Sequence, residues 1–142
     1  MQRSADLLTQ RQDRDSLPRP EPELFTGNPL RYPNWIKSFE TLIERKTKNP
    51  SERLYYLGKY TTGEAKEAIS GLLALEDTEA FSKAKKILKD RFGNPFIVAD
   101  AYRKKINSWP KIPPNDGQGL RKFADFLQHC NTAMNTIQYS MS

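Results

Sequence analysis

The sequence predicts an all-α fold of about six helices, and three observations carry that reading. Apolar residues recur at three- and four-residue steps in six separate stretches. Clusters of glycine, proline and asparagine interrupt those stretches at short intervals, as turns between helices do. No stretch alternates apolar and polar residues as a half-buried strand would.

Residues 1–23 mix charges of both signs with few apolar groups and then place Pro18, Pro20 and Pro22 at alternate positions. Each proline removes a backbone donor and drives the residue before it toward extended backbone. This segment is therefore read as a flexible tail, disordered or extended, ahead of a helical domain over residues 24–142. Gly27-Asn28-Pro29 reads as a turn that sets how Phe25 meets the first helix, with Asn34 as its cap. Trp35, Ile36, Phe39, Leu42 and Ile43 form one stripe on that helix, which is expected to end near Thr47. A large side chain of this kind contributes about 1.5–3 kcal/mol when fully buried, which makes Phe25, Trp35 and Phe39 the expected anchors of the core.

Asn49-Pro50-Ser51 ends the first helix and caps a second, whose Leu54, Leu57 and Tyr60 share a face. After Gly63, the residues Ala65, Ala68, Ile69, Leu72 and Leu73 give a third helix with small residues for close approach. Asp77 or Thr78 is the expected cap of a fourth helix carrying Ala80, Phe81, Ala84, Leu88 and Phe92, closed by Gly93 in a left-handed position. Asn94-Pro95 restarts the chain into a fifth helix that buries some of Phe96, Val98, Ala99, Tyr102, Ile106 and Trp109. Pro110, Pro113 and Pro114 break it. A sixth helix places Leu120, Phe123, Leu127, Cys130, Met134 and Ile137 at the spacing of a helix-packing seam. That seam is read first as packing within the domain and second as an assembly surface. Because it continues to the last residues without a stop signal, the chain is expected to be cut at its C-terminal side.

Composition narrows the functional classes. The chain has 142 residues, 37% hydrophobic and 28% charged, with a mean hydropathy of −0.78. Its net charge of +6 favours contact with phosphate or acidic surfaces but falls short of a dedicated nucleic-acid arm. No apolar run is long enough for a membrane span and the start lacks a secretory signal, so a cytoplasmic protein without membrane contact is expected. A single cysteine cannot form an internal disulfide, which agrees with a reducing compartment, and one Cys with one His cannot build a self-contained zinc site.

Catalytic groupings are sparse. His129 and Cys130 are neighbours, and adjacent residues on a helix point about 100° apart. The Gly-Asn-Pro triplets at 27–29 and 93–95 lack the lysine and clustered glycines of a phosphate loop and read as turns. Neither an enzyme nor a cofactor is expected. The basic run from Lys83 to Arg91, with Lys104 beyond it, reads first as a solvated helix face. Its second reading is weak contact with phosphate by Lys83, Lys86, Lys89, Arg91 and Lys104, without an exposed aromatic stacking platform.

Three stretches in order, "LFTGNPLRYPNWIKSFETLI", "SERLYYLGKYTTGEAKEAISGL" and "AKKILKDRFGNPFIVADAYRKKI", resemble the Gag region of BEL/Pao-type long-terminal-repeat retrotransposons. The resemblance spans about residues 24 to 139 and rests on Phe25, Gly27, Pro29, Trp35, Phe39, Leu57, Gly63, Glu64, Ala65, Phe92 and Gly93. It implies a retroviral-capsid-like helical bundle whose anchors are those fold-forming positions. It also implies self-association into a shell, with a following Gag lobe as neighbour and RNA as cargo. The chain carries no Asp-Thr/Ser-Gly protease turn. It also lacks a Cys-Cys-His-Cys zinc knuckle, so RNA is expected to be held weakly, if by this piece at all. Two other readings stand beside self-assembly: a basic helical adaptor for nucleic acid, and a domesticated Gag fragment that takes host peptides in an apolar groove.

Overall fold

A computed structural model describes residues 20–141, with side chains described as far as Thr136. The expected tail over residues 1–23 falls mostly on 1–19, outside the described residues. Among the described residues the fold is all-α: α1 (Tyr32–Phe39), continued by a π-helical turn (Glu40–Glu44), α2 (Pro50–Lys59), α3 (Gly63–Leu73), α4 (Ala80–Phe92), α5 (Pro95–Asn107) and α6 (Gly117–Met141). One isolated parallel bridge, between Phe25 and Thr61, accompanies them.

Local chemistry explains most boundaries. Asn28 folds the first turn, its Oδ1 accepting from Leu30 N–H at 3.0 Å and its carbonyl from Arg31 N–H at 2.9 Å. Helix α1 then starts earlier than expected. Arg31, not Asn34, occupies the cap position and makes no side-chain capping bond, while Pro33 fits the first turn, where a missing N–H costs nothing. The single stripe expected to run to Thr47 breaks after Phe39, where Arg45 N–H reaches back five residues to the Glu40 carbonyl at 3.0 Å. Asn49 caps α2 as read, accepting from Ser51 and Glu52 N–H at 2.8 and 3.4 Å, and Asn94 caps α5 through Phe96 N–H at 2.9 Å. At α4 the cap position belongs to Glu79, and Asp77 acts two residues earlier, its Oδ1 accepting from Glu79 N–H at 2.9 Å.

The main core gathers Phe25, α1, α2, α3 and α4. Phe25 stacks on Trp35 at 4.8 Å between ring centroids and meets Phe92 edge-on at 5.5 Å; Trp35 in turn stacks on Phe39 at 5.7 Å. The backbone of Phe25 is held as firmly as its ring: its N–H donates to the Tyr60 carbonyl and its carbonyl accepts from Thr62 N–H, both at 2.9 Å. Thr26 accepts from Ala65 N–H at 3.3 Å, and the buried Thr61 hydroxyl donates to the Leu57 carbonyl at 2.9 Å. Gly27 and Gly63 allow this crossing by taking φ values of +114° and +57°. A smaller cluster of Val98, Tyr102 and Ala133 joins α5 to α6, with Leu30, Phe126, Cys130 and Met134 packed around it.

Gly93 departs from expectation in a way that explains its identity. Its φ is −112°, not left-handed, so conformational freedom is not what the site needs. A Cβ there would lie 2.0 Å from the Tyr32 ring, which is buried against the core. Phe96, offered as one of several buried residues of the fifth helix, is instead 84% exposed at the start of α5, while Val98 and Tyr102 turn inward.

Two substitutions separate these effects. Gly93→Ala should cost about 1–3 kcal/mol by forcing the Tyr32 ring aside, whereas Gly71→Ala, with open space around it in α3, should stabilise by about 0.4–1 kcal/mol. Urea melts of the two variants check the pair. Phe25→Ala should lose about 3–5 kcal/mol in the same measurement.

Candidate functional site

A groove of about 1100 Å³ runs between α1 with its π-helical continuation on one side and α4 on the other. Buried Tyr32, Pro33, Phe81 and Gly93, with half-buried Ile36, form its floor. Lys37 and Arg45 stand on the first wall, Lys86 and Lys89 on the second, and Thr136 of α6 closes one end.

Of the remaining charges of the groove, all but Asp90 have internal work. Lys85 sits between two carboxylates, 3.1 Å from Glu40 Oε1 and 2.8 Å from Glu44 Oε2, and so ties α4 to the π-helical turn. Burial works to lower the Lys85 pKa, but the hydrogen bonds it donates to Glu44 and Glu40, with their negative charges, outweigh it and the ammonium is held above its ordinary value. The Arg53 guanidinium donates to the Thr47 carbonyl and, at 2.9 Å, to the Glu44 carbonyl, supplying partners to backbone acceptors left open where the π turn ends. It also lies 5.9 Å from the Phe81 ring centroid. Burial, reinforced by the negative charges of Glu40 and Asp90, pushes the Tyr32 phenol well up and keeps it neutral.

The structure divides the basic residues singled out in the sequence. Lys86 and Lys89 reach the groove. Lys83 turns to Asp77 at 3.2 Å, Lys104 to Asp100 at 3.0 Å, and exposed Arg91 leaves α4 outside the groove lining. Lys37 and Arg45, the other two groove cations without an ion pair or backbone partner, carried no sequence signal because they lie on α1 and beyond the π turn, 41 or more residues from Lys86. The fold-forming set converges on the main core: Phe25, Trp35, Phe39, Leu57, Ala65 and Phe92 are buried, Gly27 is buried, Pro29 is half-buried in the first turn, and Gly63 is exposed at the start of α3.

The expected seam on α6 is split. Cys130 and Met134 pack toward α5, and Phe123 lies half-buried against Trp109 at 5.2 Å. Leu120 and Leu127 face outward, 54% and 41% exposed, and the side chain of Ile137 lies outside the described ones. Phe126 and Ala133, which the seam omitted, complete the inward face, Phe126 touching Tyr102 at 5.4 Å and Trp109 at 5.1 Å. Both 123–127–130–134 and 123–126–130–133 satisfy three- and four-residue steps. Only the aromatic partners on and after α5 decide between them. His129 is exposed, and burial pushes the Cys130 thiol up, away from the thiolate a nucleophile needs. Among the described residues no cluster of His, Cys, Asp and Glu is placed to hold a metal ion, and no helix is long and apolar enough to cross a membrane.

Two outcomes follow from the charges. Lys85→Ala leaves Glu40 and Glu44 facing each other without a cation and should cost about 1–2 kcal/mol, between exposed and buried pairs. Tyr32, Lys85, Tyr102 and Cys130 all have folded pKa values above their ordinary ones. Their contribution to stability is therefore intact below the unfolded values and is lost as pH rises through the folded ones. Urea melts should show constant stability from pH 7 to about 8.5 and a decline above it, beginning with Cys130 and steepening past the ordinary tyrosine value of 10.0. Tyr32→Phe should flatten the steep part.

A family model described as a protein of unknown function (DUF1759) matches residues 25–141. The chain belongs to that family, which is commonly found in retrotransposon Gag-Pol regions. No curated protein and no solved structure matches it.

Proposed function

We propose that this member of the family is a structural Gag subunit of a BEL/Pao-type retrotransposon, which acts by associating with copies of itself and with a following Gag lobe in the cytoplasm. The observation that carries the reading is the double face of α6. Its inner side is satisfied by α5 through Phe126, Cys130 and Ala133, and still Leu120 and Leu127, seven residues and two turns apart, present a second apolar line to solvent. Two apolar side chains in line on the exposed side of one helix offer a strip that a neighbouring subunit would cover. Paired lines of this kind, repeated by symmetry, generate closed shells or open lattices.

The resemblance of the three motif stretches to Gag and the setting of the family in Gag-Pol regions support the same reading. So does the chemistry of the interior, which is given to aromatic packing and backbone hydrogen bonds, with the one cysteine held as a neutral thiol.

Sedimentation of the 142-residue chain over a wide concentration range, in low and moderate salt, tests the proposal. Concentration-dependent oligomers are expected, and Leu120→Glu with Leu127→Glu should return the chain to monomer without lowering its melting temperature by more than a few degrees. A strict monomer at the highest concentrations in every salt overturns it.

A further inference from the structure

We propose that residues 109–114, between α5 and α6, form a polyproline II ridge that docks into the groove of another protein, one lined by aromatic side chains and rimmed by carboxylates. Backbone rules set the ridge first. Proline holds φ at about −65° at positions 110, 113 and 114, and drives the residue before it to extended or polyproline II backbone, which covers Trp109, Ile112 and Pro113. Only Lys111 escapes both rules. Exposure then follows the three-residue repeat of that helix. Trp109 and Ile112 are half-buried, whereas Pro110, Lys111, Pro113 and Pro114 are exposed. Trp109 packs on Phe123 and Phe126 of α6 at 5.2 and 5.1 Å, and Ile112 lies against the first turn of α6, 3.3 Å from where a Cβ on Gly119 would stand. One edge of a three-sided rod is thus fixed to the fold, and Pro110 and Pro113 share the next edge, about 9 Å apart. Polyproline II makes no internal hydrogen bonds, and the N–H groups of Lys111 and Ile112 have no partner among the described residues.

Among the described residues this is the one place where several prolines stand exposed together. Pro33, Pro50 and Pro95 sit in the first turns of helices, where proline is favoured. Pro22 is buried, Pro29 is half-buried, and Pro20 is exposed without an exposed proline three residues on. Pro114 has a structural use as the second residue of a turn, closed by Asp116 N–H donating to the Pro113 carbonyl at 3.1 Å. Pro110 starts neither a helix nor a turn, and Pro113 gives the turn only a carbonyl, which any residue could supply. The chemistry of the partner follows from what is presented. Proline rings on a rod dock between flat aromatic faces, and because Trp109 and Ile112 already hold the rod in place, little conformational entropy remains to be lost on binding. Lys111, exposed between the prolines, gives the ridge a positive charge that a carboxylate rim matches. The rings that this chain itself brings to the segment, those of Phe123 and Phe126, engage Trp109 on the inward edge and leave the proline edge open. The ridge shares no residue with the Leu120 and Leu127 line, so the inference does not depend on self-association.

Calorimetric titration of the whole chain with a panel of purified SH3 and WW domains, which carry aromatic grooves of this kind, tests the proposal. Saturable binding is expected from at least one panel domain with an acidic rim. Pro110→Ala with Pro113→Ala should weaken that binding about tenfold or more, and Lys111→Glu about threefold. Phe96→Ala removes a side chain that is 84% exposed at the far end of α5 and should leave binding unchanged. Thermal melts of each variant separate loss of the ridge from loss of the fold. Binding by either domain class that the proline pair abolishes upholds the proposal. It is overturned if no panel domain binds saturably, if the double alanine variant binds as well as the parent chain, or if Phe96→Ala weakens binding as much as the proline pair does.

Discussion

Everything in the main core is organised around the way Phe25 is gripped. A single extended residue gives both of its backbone groups to the junction between α2 and α3, accepting from Thr62 N–H and donating to the Tyr60 carbonyl. Its ring meanwhile lies between Trp35 of α1 and Phe92 of α4. Four helices are thus referenced to one residue, and the buried backbone polar groups that a crossing segment would otherwise leave open are satisfied. The two glycines at positive φ, on either side of the crossing, are what allow the segments to approach so closely.

The polar part of the molecule follows from that arrangement. The end of the first helix continues as a π turn, which carries Glu40 and Glu44 to Lys85 of α4. Arg53 from α2 closes the turn from below. Glu40, Glu44, Lys85 and Arg53 on the walls are in this way engaged with each other or with backbone. Lys37, Arg45 and Lys86 stay exposed beside Asp90.

Much of the architecture was legible in the chain because helices announce themselves locally. Asn49 and Asn94 cap the helices they precede, each with Pro at the first helical position, and the stripe of Trp35 and Phe39 is buried where its spacing puts it. The misses share a different origin. Asn34 looked like a cap, but the Asn28 turn had already started the helix. Gly93 looked like a chiral requirement and is a steric one, set by a tyrosine 61 positions earlier. The face of α6 was ambiguous between two equally spaced sets, and Trp109 and Tyr102 settled it from outside the helix. The groove was the least visible of all, since its cations come from α1 and the π end, from α2 and from α4, and only part of the basic run apparent in the sequence reaches it.

The two apolar clusters differ greatly in size, and that difference bears on dynamics. The larger one interlocks Phe25 with four helices, whereas α5 and α6 rest on a small patch around Val98, Tyr102 and Ala133, linked back through Leu30 and through contacts of α6 with α1 and of α5 with α4. Such a pair is a natural sub-global unit: its amides should exchange with solvent through a lower-energy detachment while the rest stays intact. For a subunit that must fit neighbours at varying angles, a firm body bearing a readily released arm lets curvature be absorbed at one joint, without disturbing the aromatic stack.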